Sequence, residues 1–123
     1  MSHTKGTKRK KSDLEKTKIK YKQLYDSWKK VFCPALNADV DFTHAGWNHL
    51  CVLKWRTGVE QEKRLKLLPL TKKLISITTT IQATRFQDGF ITHEFNAIMD
   101  GTKVTAVVSK TKTGYIYWTT FGA

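Results

Sequence analysis

The sequence predicts an α+β domain in which N-terminal helices pack on one face of a four-stranded antiparallel β-meander. Three observations carry this. Apolar residues recur at helical spacing up to about residue 75, and from Ile77 the spacing changes to two. The pairs Asp88-Gly89, Asp100-Gly101 and Thr113-Gly114 then fall between alternating runs, where hairpin turns belong.

Residues 1–11 hold five bases and no acid. They read as a disordered basic arm ahead of a single domain, 12–123, with helices over about 12–75 and the sheet over about 77–121. Ser12-Asp13-Leu14-Glu15 has capping-box spacing. A first helix follows to about Phe32, with Leu14, Tyr21, Leu24, Tyr25, Trp28, Val31 and Phe32 on one side, until Pro34 ends it. Asp39–Phe42 is a connector. Thr43 then caps a second helix running to about Thr57, with Phe42 and Trp47 at staple spacing and Gly58 as its stop. A third helix spans Val59–Leu67. Pro69 starts a short separate turn over Leu70–Ile75.

Four strands follow, Ile77–Phe86, Phe90–Met99, Lys103–Lys110 and Tyr115–Phe121. One sheet face meets the helices through Ile81, Phe95, Val104, Val108, Ile116 and Trp118. The opposite face gathers Gln82, Thr84, Glu94, Asn96, Ser109, Tyr117 and Thr119, with Lys110 at its rim. A solvated, threonine-rich face would have this composition too.

The 22 Lys and Arg against 10 Asp and Glu give a formal charge of +12. The excess lies in the arm and helices, and residues 77–123 carry only four bases against three acids. Such a field attracts polyanions and speeds their capture. An uncharged hydroxyl- and amide-bearing face beside it suits RNA bases, with Tyr117 stacking on one and Lys54, Arg64 and Lys110 holding phosphates. No apolar run approaches the roughly 20 residues that cross a bilayer, so no membrane partner is expected. Nothing at the N-terminus has the form of an export signal, and the two cysteines suit a reduced compartment. A cytoplasmic protein is expected.

His49 and Arg56 are the sharpest chemical pair. Seven residues apart on a helix, they share one face within about 20° of rotation. Histidine exchanges protons near neutral pH, and arginine clamps phosphate. Two ordinary residues on a polar helix face would look the same. His93 alternates with core residues and reads as a packed histidine, and His44 as a helix-start residue. Arg85, at a strand end, is a phosphate ligand or a rim charge. Cys33, His44, His49 and Cys51 match no standard zinc spacing, and no metal or cofactor is expected. The sequence has no phosphate-binding Gly-rich loop, no nucleophile elbow and no carboxylate cluster for a two-metal nuclease. Cleavage of nucleic acid would then fall on RNA, whose 2′-hydroxyl is an internal nucleophile.

Thr43-His44-Ala45-Gly46-Trp47-Asn48-His49-Leu50, the Glu60–Leu70 segment and the closing Tyr117-Trp118-Thr119-Thr120-Phe121 carry a resemblance. In these features the chain, over about residues 40–121, resembles the barnase–EndoU–colicin–RelE-like ribonucleases, particularly the small phage and mobile-element types. The resemblance implies His49 as the helical histidine and Thr119 or Thr120 as the last-strand hydroxyl. It implies Arg56 or Arg85 as the phosphate arginine and Glu94 as the counterpart of a barnase-type glutamate. Lys54, Arg56 and Arg64 would be the counterparts of RelE-type bases. The implied activity is a metal-independent endoribonuclease leaving a 2′,3′-cyclic phosphate, a toxin or mobile-element effector with an acidic inhibitor or antitoxin as partner. Two alternatives stand beside it: a non-catalytic nucleic-acid-binding module, and an interaction protein whose basic surface meets an acidic partner.

Overall fold

The computed structural model of the chain describes residues 2–51, 58–87 and 89–122. Four helices and six strands follow in the order α1 (Ser2–Trp28), β1 (Lys30–Cys33), β2 (Ala38–Asp41), α2 (His44–Cys51), α3 (Gly58–Lys66), α4 (Leu68–Ile77), β3 (Ala83–Gln87), β4 (Phe90–Met99), β5 (Thr102–Lys110) and β6 (Tyr115–Phe121). The α+β class agrees with the sequence reading, but the sheet does not. It is six-stranded and mixed, in the order β1-β2-β6-β5-β4-β3, with β2 parallel to β6.

The two additional strands come from residues read as helix and connector. Lys29 takes a left-handed conformation (φ 55°) and closes α1 at Trp28. Val31 and Phe32, which sit three and four residues past Trp28 and so mimic a continuing helix face, belong instead to β1. β1 turns at Pro34–Asn37, with Asn37 at φ 49°, and pairs antiparallel with β2. Cys33 and Val40 bury completely and anchor the hairpin; burial also pushes the Cys33 thiol up from its ordinary range. Four-residue strands carry too few alternations to declare themselves, and a parallel pairing such as Val40 with Tyr115, 75 residues apart, leaves no local signature.

At its start α1 runs through Ser12 without a break. Pro69 lies in the first turn of α4, where its missing N–H costs nothing. α4 continues to Ile77, so β3 begins only at Ala83. The Asp100-Gly101 turn has both residues at positive φ (51° and 77°), the type I′ geometry of a tight hairpin.

One sheet face is the core face. Phe95, Ala106, Val108, Val104 and Met99 bury there with Leu68, Leu74 and Ile75 of α4. Each large side chain buried in this way contributes about 1.5–3 kcal/mol. At the β6 end the core is aromatic. Tyr25 of α1 lies 5.4 Å from Phe42, 5.4 Å from Trp47 and 5.9 Å from Tyr117, and Phe42 stacks on Tyr117 at 5.1 Å. Tyr25 Oη donates to the Thr43 carbonyl at 2.7 Å, tying α1 to the start of α2. Among the described residues no helix is long and apolar enough to cross a membrane.

Candidate active site

α2 is held beside β6 by a cap and a close approach. The Thr43 hydroxyl accepts from the Gly46 N–H at 3.4 Å, while Phe42 and Trp47 both bury as a staple. Pairing of β6 with β2 ends at Ile116. Beyond it, Gly46 packs against the Tyr117 backbone so tightly that an added Cβ would collide with the Tyr117 carbonyl. One turn later His49 lies over Trp118, with ring centroids 4.5 Å apart at 33°.

The pairing of β5 with β6 is broken by a bulge: Val108 pairs with Tyr117 and Val107 with Thr119, leaving Trp118 as the additional residue. The bulge separates Tyr117 from Thr119. Sequence alternation put both on one polar face; in the fold Tyr117 turns into the aromatic core with no exposed surface. It therefore cannot stack on a base. Thr119 stays on the second sheet face, opposite the helical core.

There the register sets two rows of side chains. Arg85 pairs with Thr92 and Thr92 with Ser109; Glu94 pairs with Val107 and Val107 with Thr119. Same-face neighbours on adjacent strands lie about 4.5–5.5 Å apart, so the rows form one floor. His49 and Trp118 wall it on the α2 side and Phe90 at the β3–β4 hairpin. These nine residues enclose a cavity of about 350 Å³.

Four of the five residues proposed from sequence as catalytic, His49, Arg85, Glu94 and Thr119, thus line one cavity, with Ser109 beside them. The fifth, Arg56, and the phosphate candidate Lys54 lie outside the described residues. Arg85 Nε donates to Glu94 Oε1 at 3.1 Å; its side chain is 61% exposed and that of Glu94 19%. One of the five guanidinium N–H groups is so engaged. Arg64, expected from sequence as a phosphate contact and, through the resemblance, as a counterpart of the RelE-type bases, has a more specific place. Its side chain is 16% exposed, its Nε donates to Glu60 Oε1 at 2.7 Å, and its Nη1 donates to Thr119 Oγ1 at 3.2 Å and the Thr120 carbonyl at 3.0 Å. Because Thr119 Oγ1 accepts from Arg64, its own O–H remains a donor. Thr120 points the other way, in a buried 2.6 Å hydroxyl contact with Thr71, which leaves Thr119 as the cavity's last-strand hydroxyl.

Comparison with protein-family models, curated proteins and solved structures finds no match.

The remaining sequence candidates are more peripheral. Gln82 is exposed and its Oε1 accepts from the Asn96 N–H at 2.9 Å, so it braces the sheet edge. Lys110 is exposed at the end of β5, opposite Ile91 on the core-side register and not in the cavity. His44 is exposed and Cys33 buried, and among the described residues no group of three or more His, Cys, Asp or Glu is placed to hold a metal. Trp118, assigned from alternation to the core, is the missed wall residue; only the bulge, invisible in the residue pattern, sends it to His49.

His93 sits on the other face, half-buried. Its Nδ1 is 2.9 Å from Thr84 Oγ1 and its ring 5.9 Å from that of Tyr115. Burial and then the Lys110 charge hold it below the ordinary imidazole range. The unfolded chain therefore binds this proton more readily than the fold does. Stability should fall as pH drops through the unfolded value of about 6.5 and level off below the folded one. Urea midpoints measured from pH 7.5 to 5 should show this decline, and His93→Gln should flatten part of it; an equal decline in the variant would exclude His93 as its source.

Proposed function

We propose that the chain is a small metal-independent endoribonuclease, acting in the cytoplasm on single-stranded RNA. The observation that carries this reading is the convergence of His49, Arg85, Glu94, Ser109 and Thr119, drawn from five separate elements, on one cavity. Cleavage through the 2′-hydroxyl asks for a proton carrier, cations around the phosphate and donors to its oxygens. His49 takes the 2′-hydroxyl proton as the 2′-oxygen attacks phosphorus, and returns a proton to the departing 5′-oxygen. The products are a 2′,3′-cyclic phosphate and a 5′-hydroxyl. Trp118 fixes the imidazole plane during both transfers.

Arg85 supplies charge to the pentacoordinate phosphate, and Glu94, bound at Nε, sets the direction of its remaining N–H groups. Thr119, oriented by Arg64, and Ser109 donate to phosphate oxygens. In this division of roles Arg85→Ala should lower turnover by about 10²–10³-fold, whereas Glu94→Gln, which keeps a hydrogen-bond acceptor for Arg85, should cost far less. Single-turnover rates of the two variants decide it. Equal, large losses would make Glu94 the base in place of His49.

The surrounding positive charge would steer RNA to the cavity and would equally receive an acidic inhibitor or antitoxin protein. The test of the reading is labelled total RNA incubated with purified protein and chelator. Fragments should accumulate; RNA left intact across pH would remove the nuclease assignment.

A second reading, a non-catalytic nucleic-acid-binding module, is favoured by one observation. Phe86 and Phe90 are 77% and 57% exposed at the β3–β4 hairpin, Phe90 on the cavity rim. Exposed rings beside cations serve as stacking platforms for unpaired bases. This reading predicts salt-dependent retention of RNA with no fragments.

A further inference from the structure

A second, larger cavity of about 680 Å³ opens between α3, the β4–β5 turn and the end of β6. Lys63, Lys66, Lys103 and Arg64 line it, against a single acid, Glu60. Glu60 is already engaged by Arg64 at 2.7 Å. Lys63, Lys66 and Lys103 are exposed; Lys66 also meets Glu62 at 3.0 Å on the helix surface, a solvated pair that adds little. Phe121 gives this basic bowl one aromatic wall, with the Arg64 guanidinium 5.6 Å from its ring centroid.

The two cavities are neighbours on one strand. Thr119 pairs with Val107 and Phe121 with Thr105, so both stand on the same sheet face, two residues apart. At the rise of a strand this is roughly 7 Å. Arg64 spans the step, donating to Thr119 Oγ1 on one side and lying over Phe121 on the other. An arginine held by Glu60 and β6 at such a junction can meet an anion in the cavity it lines with its geometry already fixed, and it touches the other cavity through Thr119.

We propose that the basic cavity is the flanking-phosphate subsite of a continuous track for single-stranded RNA. The strand passes from the His49 cavity over Arg64 into the bowl, where Lys63, Lys66 and Lys103 neutralise the phosphates next to the scissile one and Phe121 packs against a base or ribose. This rests on the RNA reading of the His49 cavity, though not on its being catalytic.

The test uses the full chain and a 2′-O-methyl oligouridine nonamer, which has no free 2′-hydroxyl and cannot be cleaved. Affinity is measured as a function of salt for wild type, for K63A/K66A/K103A and for the control K29A/K73A/K112A. The control removes the same charge from exposed positions that line neither cavity. Each single-strand phosphate contact contributes about 0.7 to the salt slope, so the cavity variant should lose about 2 in slope and the control nearly none. Equal losses in both variants, an unchanged slope in the cavity variant, or no binding of the nonamer by wild type would overturn the track. A selective loss together with intact natural RNA would keep the track and remove only the nuclease. Cleaved natural RNA with no selective loss would do the reverse.

Discussion

His49→Ala should lower RNA cleavage by about 10²–10⁴-fold, the usual contribution of a positioned general acid or base, while leaving affinity for uncleavable RNA nearly unchanged. Among the described residues it is the imidazole that lines the cavity floored by Glu94, Ser109 and Thr119. His44 is exposed at the start of α2, and His93 belongs to the opposite sheet face. His49→Gln keeps a hydrogen-bonding side chain against Trp118 yet cannot carry the proton, so it should fail as fully as alanine. Single-turnover cleavage beside nonamer affinity separates chemistry from binding. A variant that cuts within a fewfold of wild type would take His49 out of the mechanism.

Gly46→Ala should destabilise the fold although helix propensity alone argues the reverse. In a helix interior alanine is favoured over glycine by about 1 kcal/mol. Here an added Cβ would collide with the Tyr117 carbonyl oxygen and lie 2.8 Å from Tyr25 Oη and 3.1 Å from Tyr117 Cδ2. All three belong to the fully buried aromatic cluster, where overpacking costs about 1–3 kcal/mol, sometimes more. The net effect should be a loss of stability, at about 4 °C in Tm per kcal/mol for a chain this size. Relief of the clash moves α2 away from β6, and His49, one turn on, moves with it. Displacements near 1 Å in a reacting group can cost about 10²-fold in rate. Activity should therefore fall further than the unfolded fraction explains. A stabilised, fully active Gly46→Ala variant would show that the α2–β6 contact does not position His49.

The cavity was legible in part because cross-strand neighbours follow from turns. Once Asp100-Gly101 is placed, Glu94 and Ser109 fall on one face by parity, and the observed register keeps them there; in β3 it is Arg85 that joins them, and Thr84, read onto that face, pairs with His93 on the core side. His49 was readable as a helical polar residue, though nothing in the sequence says that α2 leans on β6; that follows from Gly46 and the cluster under it. Tyr117 failed for an identifiable reason. A bulge adds one residue and inverts the parity of everything beyond it. Tyr117 was thereby exchanged for Trp118 at the cavity, and Thr119 was retained. The β1–β2 hairpin escaped because Trp28, Val31 and Phe32 fit helical spacing until Lys29 turns left-handed. Its parallel contact with β6 is a tertiary event with no periodic trace.

The measurement that bears most directly on the His49 cavity is end analysis of a defined RNA oligonucleotide cut in the presence of chelator, beside the same oligonucleotide carrying a single 2′-deoxy residue at the cut position. Cleavage through the neighbouring hydroxyl gives 2′,3′-cyclic phosphate and 5′-hydroxyl ends in the first and an intact bond at the modified position in the second. Cleavage at the deoxy position, or fragments bearing 5′-phosphates, would show that the 2′-oxygen is not the nucleophile and that this cavity does other chemistry.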